Sequence, residues 1–400
     1  MDDFSNFISH FFSPAAWTFL KTLGERLMSP IGFLIWTTFL KSTILLGIIL
    51  GLVSYTVYAE RRVSALIQDR LGPNRVGWQG LLQPIADAAK LLLKENFTPK
   101  NANYFYFRLA PKLVMIPPIL VLGVLPFGSS LFGVQMTIAS INVGAIYVLA
   151  ISSISVYGIV LAGWASNSKY PFLGGIRSTS QMISYELSLA LSIVPIFMVV
   201  GSLNLNTIVQ YQVEQGWMIA PFWPQGMNWH ALLHPAAAWQ AIAAGMSLRH
   251  LLLWIPLIIS FFIFFVSMFA ETNRLPFDLP EAEQELIGGY HTEYSSMGFA
   301  LFFLGEYTAM ISGAGVITTL FLGGWSLPFI PDGSHGWVWG LINIGAFFAK
   351  IIALLFVFIW VRWTLPRFRY DQLMKLGWYF FFELAIVNIF LTALILTYVK

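Results

Sequence analysis

Six of the chain's 19 acidic residues, Glu271, Asp278, Glu281, Glu283, Glu285 and Glu293, fall in the stretch AETNRLPFDLPEAEQELIGGYHTEY, where Arg274 is the single Lys or Arg. Carboxylates this crowded cannot all ionise freely. Like charges raise one another's pKa, and the group takes up and releases protons collectively. Pro276 and Pro280 break regular structure, although Pro280 suits the first turn of a short helix carrying Glu281 and Glu285 on one face. At that spacing like charges repel unless they are paired or partly protonated. A merely solvated acidic loop is not usually interleaved with Leu275, Phe277, Leu279, Leu286 and Ile287. The pattern therefore favours proton handling at an apolar boundary over a solubilising role.

Glu186, Glu306, Lys350 and Glu383 sit inside long apolar runs, with Lys41 nearer the end of one. A charge at the centre of a membrane span costs on the order of 2.5–3.5 kcal/mol, so each is a functional candidate by default. Glu306 and Glu186 are the strongest, because Tyr307 flanks the first and Gln181, Ser184 and Tyr185 flank the second with hydrogen-bonding groups. For Lys41 and Glu383 snorkelling or a structural pair is the better reading, and Lys350 stays open. The run YAERRVSALIQDRLGPNRVG puts Glu60, Arg61 and Arg62 at a helix end and Arg70 and Arg75 around a Gly-Pro-Asn turn. Bases beside a membrane bind lipid headgroups or an acidic partner, or simply set topology. His230 and His234 are four apart but lack an evident third ligand, so no metal site is expected. Gly47 and Gly51 form a small-xxx-small pair suited to close helix packing. Without cysteine the chain cannot hold a cysteine-ligated iron–sulfur cluster or a redox thiol pair. It also lacks a phosphate-binding loop, a dinucleotide fingerprint and a nucleophile elbow, so no hydride or group transfer is expected of it alone.

The elements that must position these residues are membrane helices. The chain is 57% hydrophobic and 10% charged, whereas soluble domains carry about a quarter charged residues. Spans of about 20 apolar residues are expected near 31–58, 109–130, 142–165, 182–201, 250–271, 297–322, 339–361 and 376–399, giving an all-α membrane protein with about eight transmembrane helices. Most of the 22 Lys and Arg residues fall in or beside the odd-numbered loops, which predicts that those loops face the cytoplasm and both termini lie outside. The even loops are aromatic and proline-bearing, as at Trp217, Pro221, Phe222, Trp223, Pro224 and Trp229. Between the first two spans, Leu81, Leu82, Ile85, Ala88, Ala89, Leu92 and Leu93 recur at helical period opposite Asp87, Lys90 and Lys94. This predicts an amphipathic surface helix on the cytoplasmic side, lying on the membrane or packed on a partner. Residues 7–27 are too broken to span and read as interfacial, so residues 1–30 are expected to form an extension ahead of one membrane domain at 31–400. The amino terminus does not read as a signal peptide. The net charge of +3 and the lack of a basic stripe argue against nucleic acid.

These motifs resemble one family, the quinone-site membrane subunit (H in bacteria, 1 in mitochondria) of the proton-pumping NADH:quinone oxidoreductase, respiratory complex I. The likeness is carried by AERRVSALIQDRLGPNRVG with LLQPIADAAKLLLKE, GWASNSKYPFLGGIRSTSQMISYE, AETNRLPFDLPEAEQEL with TEYSSMGFALFFLGEY, and LPRFRYDQLM. It implies an eight-helix subunit of the bacterial inner membrane that forms a quinone chamber with hydrophilic partner subunits. Quinone would be a substrate, with the iron–sulfur clusters and flavin held by partners. Small membrane subunits, antiporter-like subunits and lipid would be its other neighbours. The resemblance assigns Glu60, Arg61, Arg62, Arg70, Arg274, Asp278, Glu281, Glu283, Glu285 and Arg369 to the chamber and its acidic exit. It assigns Glu186, Glu271, Glu293 and Glu306 to a buried proton path. Residues 1–30 and 202–249 look longer than the usual pattern, and His291 departs from it. A membrane anchor in a ferredoxin- or hydrogen-linked complex would share most of these motifs. A stand-alone ion transporter would leave the surface helix and the loop motifs without a role.

Overall fold

A computed structural model describes residues 30–131, 134–220, 248–279, 288–327 and 337–398. The expected interfacial segment at 7–27, the aromatic stretch from Pro221 with His230 and His234, and Pro280 with Glu281, Glu283 and Glu285 lie outside the described residues. The chain divides into two units, residues 1–48 and 49–400. In the first, the described part is helical, and Leu34, Ile35, Phe39 and Ile44 are exposed on it.

The helices are α1 (Pro30–Ile67), α2 (Gln83–Leu93), α3 (Tyr104–Val124), α4 (Gly144–Ala165), α5 (Lys169–Val200) and α6 (Leu205–Gln215). They continue as α7 (Leu248–Glu271), α8 (Ser296–Phe321), α9 (Trp337–Thr364), the short α10 (Tyr370–Lys375) and α11 (Phe382–Tyr398). A π-helical turn over Leu376–Phe381 joins α10 to α11 in one rod. Among the described residues, eight helical rods are long and apolar enough to cross a membrane. Two-residue strands at Ser130–Leu131 and Val134–Gln135 pair antiparallel in one connection. Helices dominate because in lipid every backbone N–H and C=O must find its partner within the segment.

Several helices outrun their apolar stretches. Helix α1 continues through Glu60, Arg61 and Arg62 to Ile67, and α5 begins at Lys169, thirteen residues before its expected span. A hydropathy window sees only the part in contact with lipid, whereas hydrogen bonding and packing carry the helix on into polar sequence.

In the unit 49–400, α8 is the central element, burying Ala300, Phe302, Tyr307, Ile311, Ala314, Ile317 and Phe321 among others. Small residues let its neighbours approach. A Cβ at Gly305 would stand 3.2 Å from the Val114 backbone on α3, and one at Gly158 on α4 would stand 3.0 Å from the Ala110 carbonyl. Such contacts are how membrane helices pack when lipid removes the hydrophobic drive between them. Gly51 behaves otherwise. Nothing lies within 4 Å of a Cβ there, so the close packing expected at the Gly47 and Gly51 pair is not made by Gly51 within this unit. Tyr157, Trp164, Phe262, Phe356, Trp360 and Phe390 point outward, as a lipid-facing or partner-facing surface requires.

The surface helix α2 buries none of its residues. Arg61 pairs with its Asp87 at 2.6 Å, tying α2 to the end of α1. The intervening loop is braced by Tyr58 Oη donating to the Gln79 carbonyl at 2.6 Å and by Arg62 donating to Gln79 Oε1 at 3.3 Å. Gly80 in that loop has φ +79°, and a Cβ there would run into the Pro73 carbonyl, so glycine is required.

Candidate functional site

The segment after α7 is held from two sides. The Gln181 amide on α5 donates to the carbonyls of Ala270 at 2.9 Å and Phe277 at 2.8 Å. The Ser178 hydroxyl lies 3.2 Å from Asn273 Oδ1, and the Phe368 N–H donates to the Pro276 carbonyl at 3.1 Å. Asn273 takes a left-handed backbone, φ 51°, which asparagine tolerates better than most residues. This bracing fixes Arg274, whose side chain is 4% exposed.

Around Arg274 four elements bring together a buried charged group. Its guanidinium lies 2.5 Å from Glu306 on α8 and 3.6 Å from Glu60 on α1, and it stacks 4.2 Å from the Tyr307 ring centroid. Tyr307 Oη donates to Glu60 Oε2 at 2.6 Å, and Arg362 on α9 pairs with Glu60 Oε1. Two carboxylates and two guanidinium groups nearly cancel in charge, which permits burial. For Arg274 itself, burial would lower the pKa, but Glu306, Tyr307 and Glu60 outweigh it, and the group is held above its ordinary value. Beside this network, Arg367 pairs with Asp278 at 3.1 Å.

A second feature begins one turn back along the chain. A cavity of about 50 Å³ runs between α3, α4, α5, α6, α7 and α8, with a largely apolar wall. Its polar groups include Ser152, Ser155, Thr272 and Ser312, and Glu271 is its charged residue. Ser152 is a hydrogen-bond partner of Glu271, and Glu186 acts on it through charge. At roughly 10–15 Å³ of such volume per water, the cavity has room for a few waters.

The structure thus joins Glu60, Arg274 and Glu306, and separately Glu186 and Glu271. Glu293 is half-buried on the turn before α8 and belongs to neither group. Arg61 and Arg62 brace the α1–α2 loop, Arg70 is exposed and donates to Gln68 at 2.7 Å, and Arg369 is exposed with Asp371 at 3.4 Å. The groups expected to serve Glu186 do other work. Gln181, Ser184 and Tyr185 lie on a different face of α5, where Tyr185 Oη donates to the Leu373 carbonyl at 2.9 Å and Ser184 accepts from Trp378 at 3.0 Å. Positions 181, 184, 185 and 188 share one helical face, and 186 is turned about 100° from 185. Tyr307, read as a neighbour of Glu306, spends its hydroxyl on Glu60. Arg362, Arg367 and the role of Tyr307 escaped the sequence reading. Arg362 lies 302 residues from Glu60, and its only signal was its place in a base-rich loop.

Eight membrane rods, a buried ion-pair network and a carboxylate-bearing cavity define a polytopic α-helical membrane protein built to hold charge inside. A family model described as NADH dehydrogenase matches residues 40–393. The chain is 47% identical over 373 residues to the H subunit (numbered 1) of the NADH-quinone oxidoreductase of Geobacter metallireducens, covering 92% of this chain and 99% of that protein. It is 45% identical to NADH-quinone oxidoreductase subunit 8 of Rhodothermus marinus, with 90% and 97% covered. It is 48% identical to the H subunit of the NADH-quinone oxidoreductase of Rickettsia typhi, with 86% and 89% covered. The chain belongs to this family of membrane subunits of the multisubunit enzyme NADH-quinone oxidoreductase.

Proposed function

We propose that the chain helps form the quinone chamber of its complex and passes the charge change of quinone reduction into the membrane through its carboxylates. The observation that carries this reading is the buried Glu60–Arg274–Glu306–Tyr307–Arg362 network at the end of the braced segment. Such a network changes its balance when a proton or electron arrives nearby, because a low-dielectric surround leaves charge unscreened. Glu271 lies three residues before Arg274 and faces the cavity, which gives the altered field a titratable group and a wettable path to act on. The acidic run of Asp278, Glu281, Glu283 and Glu285, with Arg61, Arg62, Arg70 and Arg369, would line the chamber mouth. Glu186 and Glu293 would continue the proton path.

In this reading the base-rich loops and α2 face the cytoplasm and both termini lie outside in a bacterial inner membrane. Hydrophilic cluster-bearing subunits cover the loop side, and small membrane and antiporter-like subunits flank the helices. Quinone is the substrate, and the iron–sulfur clusters and flavin sit in the partners. The test is a Glu281→Gln, Glu283→Gln double variant in assembled complex. Quinone-linked electron transfer should fall severalfold while NADH oxidation by an artificial acceptor is unchanged. Near-normal quinone reduction and pumping would leave the acidic run as a structural lid.

A further inference from the structure

At the membrane end where α3 and α8 begin there is a recess of about 220 Å³ that the charge network does not touch. We propose that it binds the phosphodiester headgroup of an anionic membrane lipid. Arg108 and Lys112 line it one helical turn apart on α3, both exposed, and neither has an ion-pair partner among the described residues. Arg108 is steadied by stacking over the Tyr104 ring at 4.3 Å. Asn96 and Thr98 add neutral polar groups, and no Asp or Glu is among the lining residues.

Tyr294 supplies an independent indication. It is 7% exposed, its ring lies parallel to Phe107 at 3.9 Å, and Phe302 meets it edge-on at 4.8 Å. Its hydroxyl is buried without a hydrogen-bond partner among the described residues, although the residue lines the recess. A buried polar group left unpaired is costly, and native structures seldom carry one without a partner to meet it. Burial raises the pKa of this phenol, so it remains an O–H donor, which suits an anion.

The first turn of α8 points the same way. Its N-cap, Ser295, does not cap the helix with its side chain, which instead donates to the Glu95 carbonyl at 3.3 Å and accepts from the Phe97 N–H at 2.9 Å. Met297 and Gly298 from that turn line the recess; the Gly298 N–H is given to the Ser295 carbonyl at 3.1 Å, so what this end contributes is the helix dipole, which favours negative charge. Two unpaired bases, a residue with an unpaired phenol hydroxyl and the first turn of α8 thus border one recess. A lipid is favoured over a free phosphate ion because Met297, which lines the recess, and Tyr104, which stacks with Arg108, are both exposed and offer apolar surface on which acyl chains can lie.

The experiment counts tightly bound anionic lipid on the assembled complex after detergent washing, by native mass spectrometry and by lipid phosphorus. It compares the parent with Arg108→Gln, Lys112→Gln and Tyr294→Phe variants. The parent should retain one more phosphatidylglycerol than the Arg108→Gln, Lys112→Gln double variant. Each single charge removed should weaken retention about fivefold in a phosphatidylglycerol titration of delipidated complex. Tyr294→Phe keeps the ring stacking and both bases, so it decides the matter if the double variant assembles poorly, and it too should weaken retention. Equal lipid counts in parent and variants would overturn the proposal. So would equal competition by phosphatidylcholine, or displacement of the lipid by millimolar inorganic phosphate, which would mark a soluble-anion site.

Discussion

Arg274 serves two carboxylates and one aromatic ring from a segment only a few residues past the end of α7. Removing one member of a buried ion pair strands its partner and costs about 3–5 kcal/mol, whereas removing both together costs far less. Arg274→Met should therefore sharply reduce assembled complex and its resistance to heat. Adding Glu306→Gln should recover part of the loss, because the two changes act on one network and cannot be additive. Losses that simply add would mean that the two groups do not depend on each other. Lys350 is a different case, since its ammonium donates to the carbonyls of Leu322 at 2.7 Å, Gly324 at 2.9 Å and Ser326 at 2.6 Å and lies 4.2 Å from the Trp217 ring. The residue left open by the sequence is a clamp that satisfies the chain where α8 ends. Lys350→Met should lower the thermal inactivation midpoint, reflecting a cost of about 1–3 kcal/mol for each carbonyl left without a donor. An unchanged midpoint would show that water replaces the ammonium there without loss.

Among the helices, contact depends on glycines that the composition alone does not single out. Gly174 on α5 meets the turn before α8, where a Cβ would stand 2.9 Å from the Gly289 Cα and from the Tyr290 N. Both obstacles are backbone, so Gly174→Ala should push the turn aside and destabilise the subunit by about 1–3 kcal/mol. Gly123→Ala on α3 is the control, because nothing lies within 4 Å of its Cβ position and alanine favours the helix. Equal heat stability of the two variants would argue against the close approach. The eight spans were legible because lipid demands long apolar runs, and α2 because its apolar residues keep helical period. The true ends of α1 and α5 were not, since Arg61, Arg62, Arg177 and Gln181 look like loop to a hydropathy reading while hydrogen bonds keep them helical. Candidate carboxylates were legible one by one, because charge in an apolar run is conspicuous. Their partners were not. Sequence spacing cannot say that Arg362 meets Glu60, or that Gln181 turns away from Glu186 to brace Ala270 and Phe277.

For the molecule as a whole, the proposed topology puts both termini outside, since the eight spans among the described residues would bring them to one side and the base-rich loops would face the cytoplasm. The chain has no cysteine, so single cysteines introduced at residues 2 and 399 report without background. Both should react with an impermeant thiol reagent added from outside the cell, and labelling of either only from inside would reverse the topology. The central claim, that this subunit turns quinone reduction into proton movement, concentrates on Glu271, the carboxylate on the wall of the cavity. The most direct measurement follows the rates of quinone-linked NADH oxidation and of proton translocation together, in sealed membrane vesicles carrying assembled Glu271→Gln complex. Glutamine keeps the shape and hydrogen-bonding capacity of the side chain but cannot carry the proton. Quinone-linked turnover and proton translocation should both fall severalfold, with artificial-acceptor NADH oxidation at the parent level. Parent-level turnover with parent-level proton translocation would contradict the account.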